Sequence, residues 1–210
     1  MDYKLLNKKK MKKILYIVLL SSFFMNAQEH DTTRKWKLEL GYTTDIINTS
    51  FGKHYGFVFK AKRKLLESKK ITLMVGAAYQ NSFINEDENM FTGFVDGYTR
   101  DLSVVGLVDF SFYPFNKRRF YMSIQPFLGY TNLKSKGSLY IDHIGVYEKY
   151  KNSHSYFNYG MINSLGYTFN RVTITFDVWS SLKGILDSGR FRPGDFDSRL
   201  FFGMGVGYTL

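Results

Sequence analysis

The stretch Arg199-Leu-Phe-Phe-Gly-Met-Gly-Val-Gly-Tyr-Thr-Leu210 decides how the rest of the chain is read. Its even positions, Leu200, Phe202, Met204, Val206, Tyr208 and Leu210, are all apolar or aromatic. Its odd positions, Arg199, Phe201, Gly203, Gly205, Gly207 and Thr209, are mostly tiny or polar. A period of two means a strand with one large apolar face and one nearly bare face. Glycines at this density weaken an ordinary strand, because they add backbone entropy and pack nothing. They fit where the bare face points into a narrow lumen and the apolar face meets lipid. At the edge of a soluble sandwich the same strand would need a second sheet to cover its large side chains.

Seven more segments share this design: 36–45, 55–62, 71–80, 101–112, 120–130, 156–167 and 172–179. With the last strand they predict an all-β fold, an eight-stranded antiparallel transmembrane β-barrel, eight being a small closed number. The connections alternate in length. Short ones at 63–69, 114–118 and 170–171 are expected at the periplasm, and longer outer loops at 48–53, 83–97, 132–153 and 183–197. On the outward phase Phe120 and Tyr130 lie ten residues apart, as do Phe157 and Tyr167. Ten tilted strand residues rise about 25 Å, the height of the apolar band, so these pairs mark two interfacial girdles. Tyr42, Tyr55, Tyr79 and Tyr98 join the outer girdle, and Trp36, Phe112 and Tyr208 the inner one. Pro126 falls mid-strand without an N–H to give, which predicts a bulge. Asn163 falls on the lipid phase, where a bulge or a tyrosine partner would accommodate it.

At the other end, Met11-Lys-Lys begins a charged segment, Ile14 to Leu20 forms a short apolar core, and Ala27 ends a small-residue site. This predicts a secretory signal over 1–27 with its start at Met11, a short tail over 28–34 and the barrel over 35–210. The apolar run is too short for a spanning helix, which needs about 20 residues. The chain has no cysteine, so no disulfide framework holds the exported fold.

Residues 1–27 carry six lysines and one aspartate, so the remainder holds 23 basic and 17 acidic residues and the net charge falls from +11 to +6. The basic residues are scattered over connections such as Lys62-Arg63-Lys64 and Lys117-Arg118-Arg119. No basic helix or base-stacking motif accompanies them, and export makes nucleic acid an unsuitable partner. Solvent and lipid headgroups are the expected surroundings.

The inward phase collects Lys37, Glu39, Lys60, Asp101, Asp109, Asp177 and Arg199. A small barrel is filled by side chains, so these must pair across it. Glu39, Lys60, Asp109, Asp177 and Arg199 are the expected lumen charge network, with Asp109 opposite Lys60. No catalytic residue, metal ligand or cofactor site is expected. No histidine pair has metal-ligand spacing, and phosphate-binding loops and dinucleotide fingerprints are absent. The one arrangement with nucleophilic chemistry is His154 flanked by Ser153 and Ser155, which outer-membrane lipid hydrolases would need in a triad. A narrow ion or solute pore is a further alternative. The third outer loop carries Lys134, Lys136, Tyr140, Tyr147 and Tyr150, a mixture suited to surface contacts.

The whole mature chain resembles the small outer-membrane β-barrel domain family of the OmpA and OmpX type. The resemblance rests on the signal ending at Ala27-Gln28, the eight alternating strands and the close at Gly203-Met-Gly-Val-Gly-Tyr208. Family chains usually end in an aromatic residue, whereas this one ends in Leu210 with Tyr208 two residues before it. The resemblance implies an outer-membrane location, contact with outer-membrane lipids and lipopolysaccharide, and handling by the barrel-assembly machinery. It carries no catalytic residues. The expected role is envelope integrity or surface adhesion through the outer loops.

Overall fold

The computed structural model describes residues 35–44, 53–90, 93–115, 118–141, 145–181 and 200–210. They form β1 (Trp36–Thr44), β2 (Lys53–Glu67), β3 (Ile71–Met90), β4 (Gly93–Phe112), β5 (Phe120–Ile141), β6 (Val146–Phe169), β7 (Val172–Ser181) and β8 (Leu200–Thr209). Each strand pairs antiparallel with the next, and β8 pairs with β1, so the sheet closes on itself. Closure is what allows strands to cross lipid, because every ladder group finds a partner within the protein. The signal and tail, and the outer connections at 48–53 and 183–197, lie outside the described residues or reach them only at Lys53.

The register fixes the barrel's shape. A row of paired residues starting at Phe169 passes through Val172, Tyr208, Leu38, Ala61, Ala77, Gly106 and Leu128 and returns to β6 at Tyr159, a stagger of ten residues. Eight strands with that stagger tilt by about 40° and enclose a ring of about 8 Å radius. Such a ring is just wide enough for side chains to fill.

Burial follows the period-2 pattern around the ring. Leu40, Tyr42, Val104, Leu128, Ile174, Met204 and Val206 are exposed on the outside, while Lys60, Lys62, Asp109 and Gln125 are buried within. This reverses a soluble protein's distribution, and it matches an apolar band facing lipid around a polar interior. The inward glycines of β8 supply the room. A Cβ at Gly207 would lie 2.9 Å from Glu39 Cγ, and one at Gly205 would lie 2.8 Å from Thr175 Oγ1. Gly166 on β6 leaves space for a neighbour's ring, since a Cβ there would overlap the Tyr121 ring at Cζ.

Two expectations need correction. The segments 83–97 and 132–153 are mostly strand, not loop: β3 and β4 stay paired up to Met90↔Gly93, and β5 and β6 up to Ile141↔Val146. Tyr98, opposite Lys136, does join the girdle rings, its own ring lying 5.8 Å from that of Phe83. Pro126 makes no bulge. The β4–β5 ladder lapses between Leu107↔Phe127 and Phe110↔Ile124 and resumes in the same register, while β6 pairs through Pro126↔Met161 without a shift. A gap in one ladder is less disruptive than an inserted residue, which would turn every later side chain to the wrong face. Asn163 likewise sits in register between Ile124 and Val178, exposed on the outside.

Candidate functional site

The lumen is stacked in layers that the sequence's alternation builds two residues at a time. The lower layer is ionic. Glu39 Oε1 lies 2.7 Å from Lys37 Nζ and 2.9 Å from Lys62 Nζ, while Oε2 is 3.5 Å from Lys60 Nζ. Lys62 Nζ also donates to Asp109 Oδ2 at 2.7 Å, and Lys60 Nζ donates to Asp177 Oδ2. Hydroxyls occupy the remaining carboxylate oxygens: Ser111 donates to Asp109 at 2.7 Å and Ser164 to Asp177 at 2.5 Å. Lys37 turns to the Tyr121 hydroxyl at 2.8 Å. Three lysines and three carboxylates thus meet within one layer, charge for charge, which is the condition for burying them in a low dielectric.

Two residues further along each strand the lumen becomes apolar. Val58 follows Lys60, Phe127 follows Gln125, and Trp179 follows Asp177. With Ala78, Val105, Leu107, Ile162 and Phe201 these form one buried cluster. Trp179 stacks on Phe201 at 5.3 Å and meets Phe127 at 5.7 Å. A polar layer lies above, where Ser103 contacts Thr131 at 2.7 Å and Thr99 donates to Ser135 at 2.8 Å. The small cavity between the upper two layers has a volume of about 10 Å³, room for about one water.

Glu39, Lys60, Asp109 and Asp177 therefore meet in the lumen, and Arg199 lies outside the described residues. Asp109 pairs with Lys62 and not with Lys60, whose partners are Asp177 and Glu39. Lys37 and Lys62 join the network beyond the expected members, and Lys62, fully buried, was also missing from the inward-phase charges. Its signal was present in the inward phase of β2, but its place in a basic run, Lys60-Ala-Lys-Arg-Lys64, suggests a connection.

A second device sits at the mouth beside the short turns. The register of β2 slips between Lys64 and Leu66, a bulge that swings Glu67 towards the inside opposite Thr72. Glu67 then holds both Lys64 and Arg118. Arg118, at φ 47°, also donates to Thr72 Oγ1 at 2.6 Å and lies 4.3 Å over the Tyr113 ring. Together they narrow an open vestibule of about 290 Å³.

On the raised hairpins the sheet alternation sorts the surface candidates. Lys134, Lys136 and Tyr140 of β5 share the outer face with Tyr147 of β6, where the Tyr147 hydroxyl donates to Ser138 at 2.9 Å. Tyr150 belongs to the opposite face, packed by Gly137. Lys136 pairs with Lys151 on one side and Tyr98 on the other, and Arg100 pairs with Lys134. Arg100 itself donates to Asn81 at 2.8 Å and lies 5.9 Å over Phe83. Below this row Tyr55, Phe83, Tyr130 and Phe157 form the upper aromatic girdle; Tyr55 stacks on Phe83 at 5.7 Å. His154 and its flanking serines are separated by the same alternation. Its ring stacks on Tyr156 at 5.8 Å on the inner face, whereas Ser155 accepts from Asn132 on the outer one. Ser153 and Ser155 thus point away from His154, and the hydrolase arrangement does not form.

A closed, tilted ring with an apolar outside, aromatic girdles at both rims and a filled ionic lumen defines a small transmembrane β-barrel. Solved structures of that kind resemble it. Ail, the attachment invasion locus protein of Yersinia pestis, matches with 14% identity over 84% of this chain and 99% of its own, at a TM-score of 0.48; Ail has also been solved with the heparin analogue sucrose octasulfate. A major outer membrane protein from Thermus thermophilus matches with 12% identity over 83% and 99% of the two chains, at 0.45. The N-terminal β-barrel domain of Pseudomonas aeruginosa OprF matches with 8% identity over 85% and 100%, at 0.40. No protein-family model and no curated protein matches the chain.

Proposed function

We propose that this protein resides in the outer membrane and works by binding at the cell surface, with the β3–β4 and β5–β6 hairpins as its working part. The observation that carries this reading is the division of labour along the barrel axis. Among the described residues the lumen is packed with an ionic layer and an apolar layer, which block a conduit through it, while two hairpins continue paired beyond the upper girdle. Binding there needs no motion of the barrel, and the barrel supplies a rigid base.

The outer face of those hairpins suits an anionic partner, and the first one it meets is the outer-leaflet glycolipid. Arg100, Lys134, Lys136 and Lys151 are neighbours across three strands and make no ion pair among the described residues. At about 2.5 Å of axial rise per residue they stand within roughly 15 Å of the girdle, the depth at which lipopolysaccharide carries its phosphates. Like charges set side by side repel, and a phosphate between them removes that repulsion.

The test is binding of purified lipopolysaccharide to the barrel in nanodiscs, with planar-bilayer recording of the same preparation. Replacing Lys134, Lys136 and Lys151 by Gln is expected to weaken binding and its salt dependence while leaving heat-modifiable gel mobility unchanged. Steady single-channel currents from the parent would overturn the sealed-lumen reading. Unchanged lipopolysaccharide affinity in the triple variant would overturn the assignment of this face.

A further inference from the structure

The end of the barrel opposite the hairpins gathers cations from every part of the sequence. Lys35, Arg63, Lys69, Lys70, Arg119 and Arg171 are all exposed there. Glu67, the acidic side chain described at this end, is already held by Lys64 and Arg118 inside the mouth. The six outward cations therefore keep their charge unopposed by any carboxylate side chain of the described rim.

Four of them are pinned by backbone hydrogen bonds. The carbonyls of Lys35, Lys70, Arg119 and Arg171 accept from the amides of Lys64, Tyr113, Thr168 and Thr209, at 2.7, 2.8, 2.6 and 3.0 Å. Each of these four is thus tied through its own carbonyl to a neighbouring strand, and together they are spaced around the circumference instead of clustering on one side.

Two of the arginines are also placed beside a girdle aromatic. Arg63 pairs directly with Trp36, which is 47% exposed. Arg171 directs its guanidinium at the Tyr208 hydroxyl, 3.5 Å away. An aromatic belt fixes the depth of the headgroup region, and a guanidinium at that depth can hold a phosphate through two parallel hydrogen bonds.

We propose that this rim is a ring that selects anionic phospholipids, with Arg63 and Arg171 gripping headgroup phosphates beside Trp36 and Tyr208 and Arg119 adding to the ring's charge. The ring rests on the membrane-barrel reading, with this end at the periplasmic leaflet. A zwitterionic headgroup brings its own cation to the site, whereas an anionic one lets the ring's charge act in full. Each nearby cation strengthens attraction to an anionic surface by about fivefold.

The chain carries its own reporter. Its two tryptophans are Trp36 on the rim and Trp179, which is 2% exposed inside the lumen. Trp36 is open to quenching by lipids brominated on their acyl chains, and Trp179 supplies an unquenched internal reference. The barrel is reconstituted in phosphatidylcholine vesicles containing a minor fraction of brominated phosphatidylglycerol, or the same fraction of brominated phosphatidylcholine. Brominated phosphatidylglycerol is expected to quench Trp36 with a relative binding constant about three- to tenfold higher, falling towards parity in high salt. Arg63→Gln, Arg119→Gln and Arg171→Gln together should abolish the preference, and the corresponding Lys triple should keep part of it. Equal quenching by the two lipids in an inserted, heat-modifiable parent overturns the ring, as does a preference that survives the Gln triple. If the Gln triple fails to insert, Arg63→Gln alone, beside the reporter, must lower the preference. Quenching by neither lipid, together with no heat-modifiable band, overturns the membrane barrel itself.

Discussion

Lys62 Nζ of β2 and Asp109 Oδ2 of β4 meet at 2.7 Å inside the lumen, reaching past β3, with both side chains shut off from solvent. The strand between them places Gly76, which has no side chain, directly opposite Lys62, leaving the path open. Asp109→Asn leaves Lys62 with Glu39 alone. Removing one partner of a buried pair costs about 3–5 kcal/mol, and Lys62→Met added to Asp109→Asn is expected to recover part of it. Lys60→Met should recover none. Urea unfolding in lipid vesicles measures the cycle; rescue by Lys60→Met and not by Lys62→Met would reverse the pairing.

Val108 faces outward on β4 midway between the girdles and pairs with Val75 of β3. Val108→Arg is expected to lower stability by about 2–4 kcal/mol, the cost of an arginine near the bilayer midplane. The same unfolding measurement decides it, and an unchanged midpoint would mean that β4 is phased the other way.

The Tyr121 ring occupies the place that a β-carbon at Gly166 would take, with Cζ nearest to it. Gly166→Ala therefore displaces the ring and the hydroxyl that Lys37 uses, at a cost of about 1–3 kcal/mol for overpacking. Met204→Leu on the lipid side changes the apolar face by shape alone and should cost less than about 1.5 kcal/mol. Comparing the two separates the crowded lumen from the tolerant outer surface.

Closure depends on a few pairs at the chain's end: Gly207↔Glu39, Tyr208↔Leu38 and Thr209↔Lys37, with the Leu210 amide donating to the Trp36 carbonyl at 2.9 Å. Deleting Gly207–Leu210 opens an edge in lipid and uncovers the Glu39 layer. The truncated chain should be missing from outer-membrane fractions. A heat-modifiable band from it there would show that closure does not need these residues.

The barrel wall was legible in the sequence because lipid enforces a period of two: Met204 and Val206 cannot exchange faces with Gly203 and Gly205 without burying nothing and crowding everything. The same rule ends where lipid ends. Above the girdle both faces of β3 to β6 can be polar, so the alternation of hydrophobicity fades and residues such as Lys149-Tyr-Lys151 look like loop although they are paired strand. The lumen's membership was legible for the same reason as the wall, but its pairing was not. Which lysine meets Asp109 depends on the ten-residue stagger, a property of closure that no single strand contains. Pro126 shows the complementary limit, since composition announces a missing donor without saying whether the chain bulges or leaves a gap.

The two tall hairpins behave mechanically as a cantilever. From Tyr130 at the girdle, β5 runs ten further residues to Tyr140 while still bonded to β6 along its length, which places Tyr140 and Tyr147 about 25 Å beyond the membrane surface. A loop of equal length would wander over that distance and lose the freedom whenever it was held. A paired ribbon rooted in a ring of fixed tilt has already surrendered it, so the reach and bearing of its tip are set during folding and not at the moment of contact.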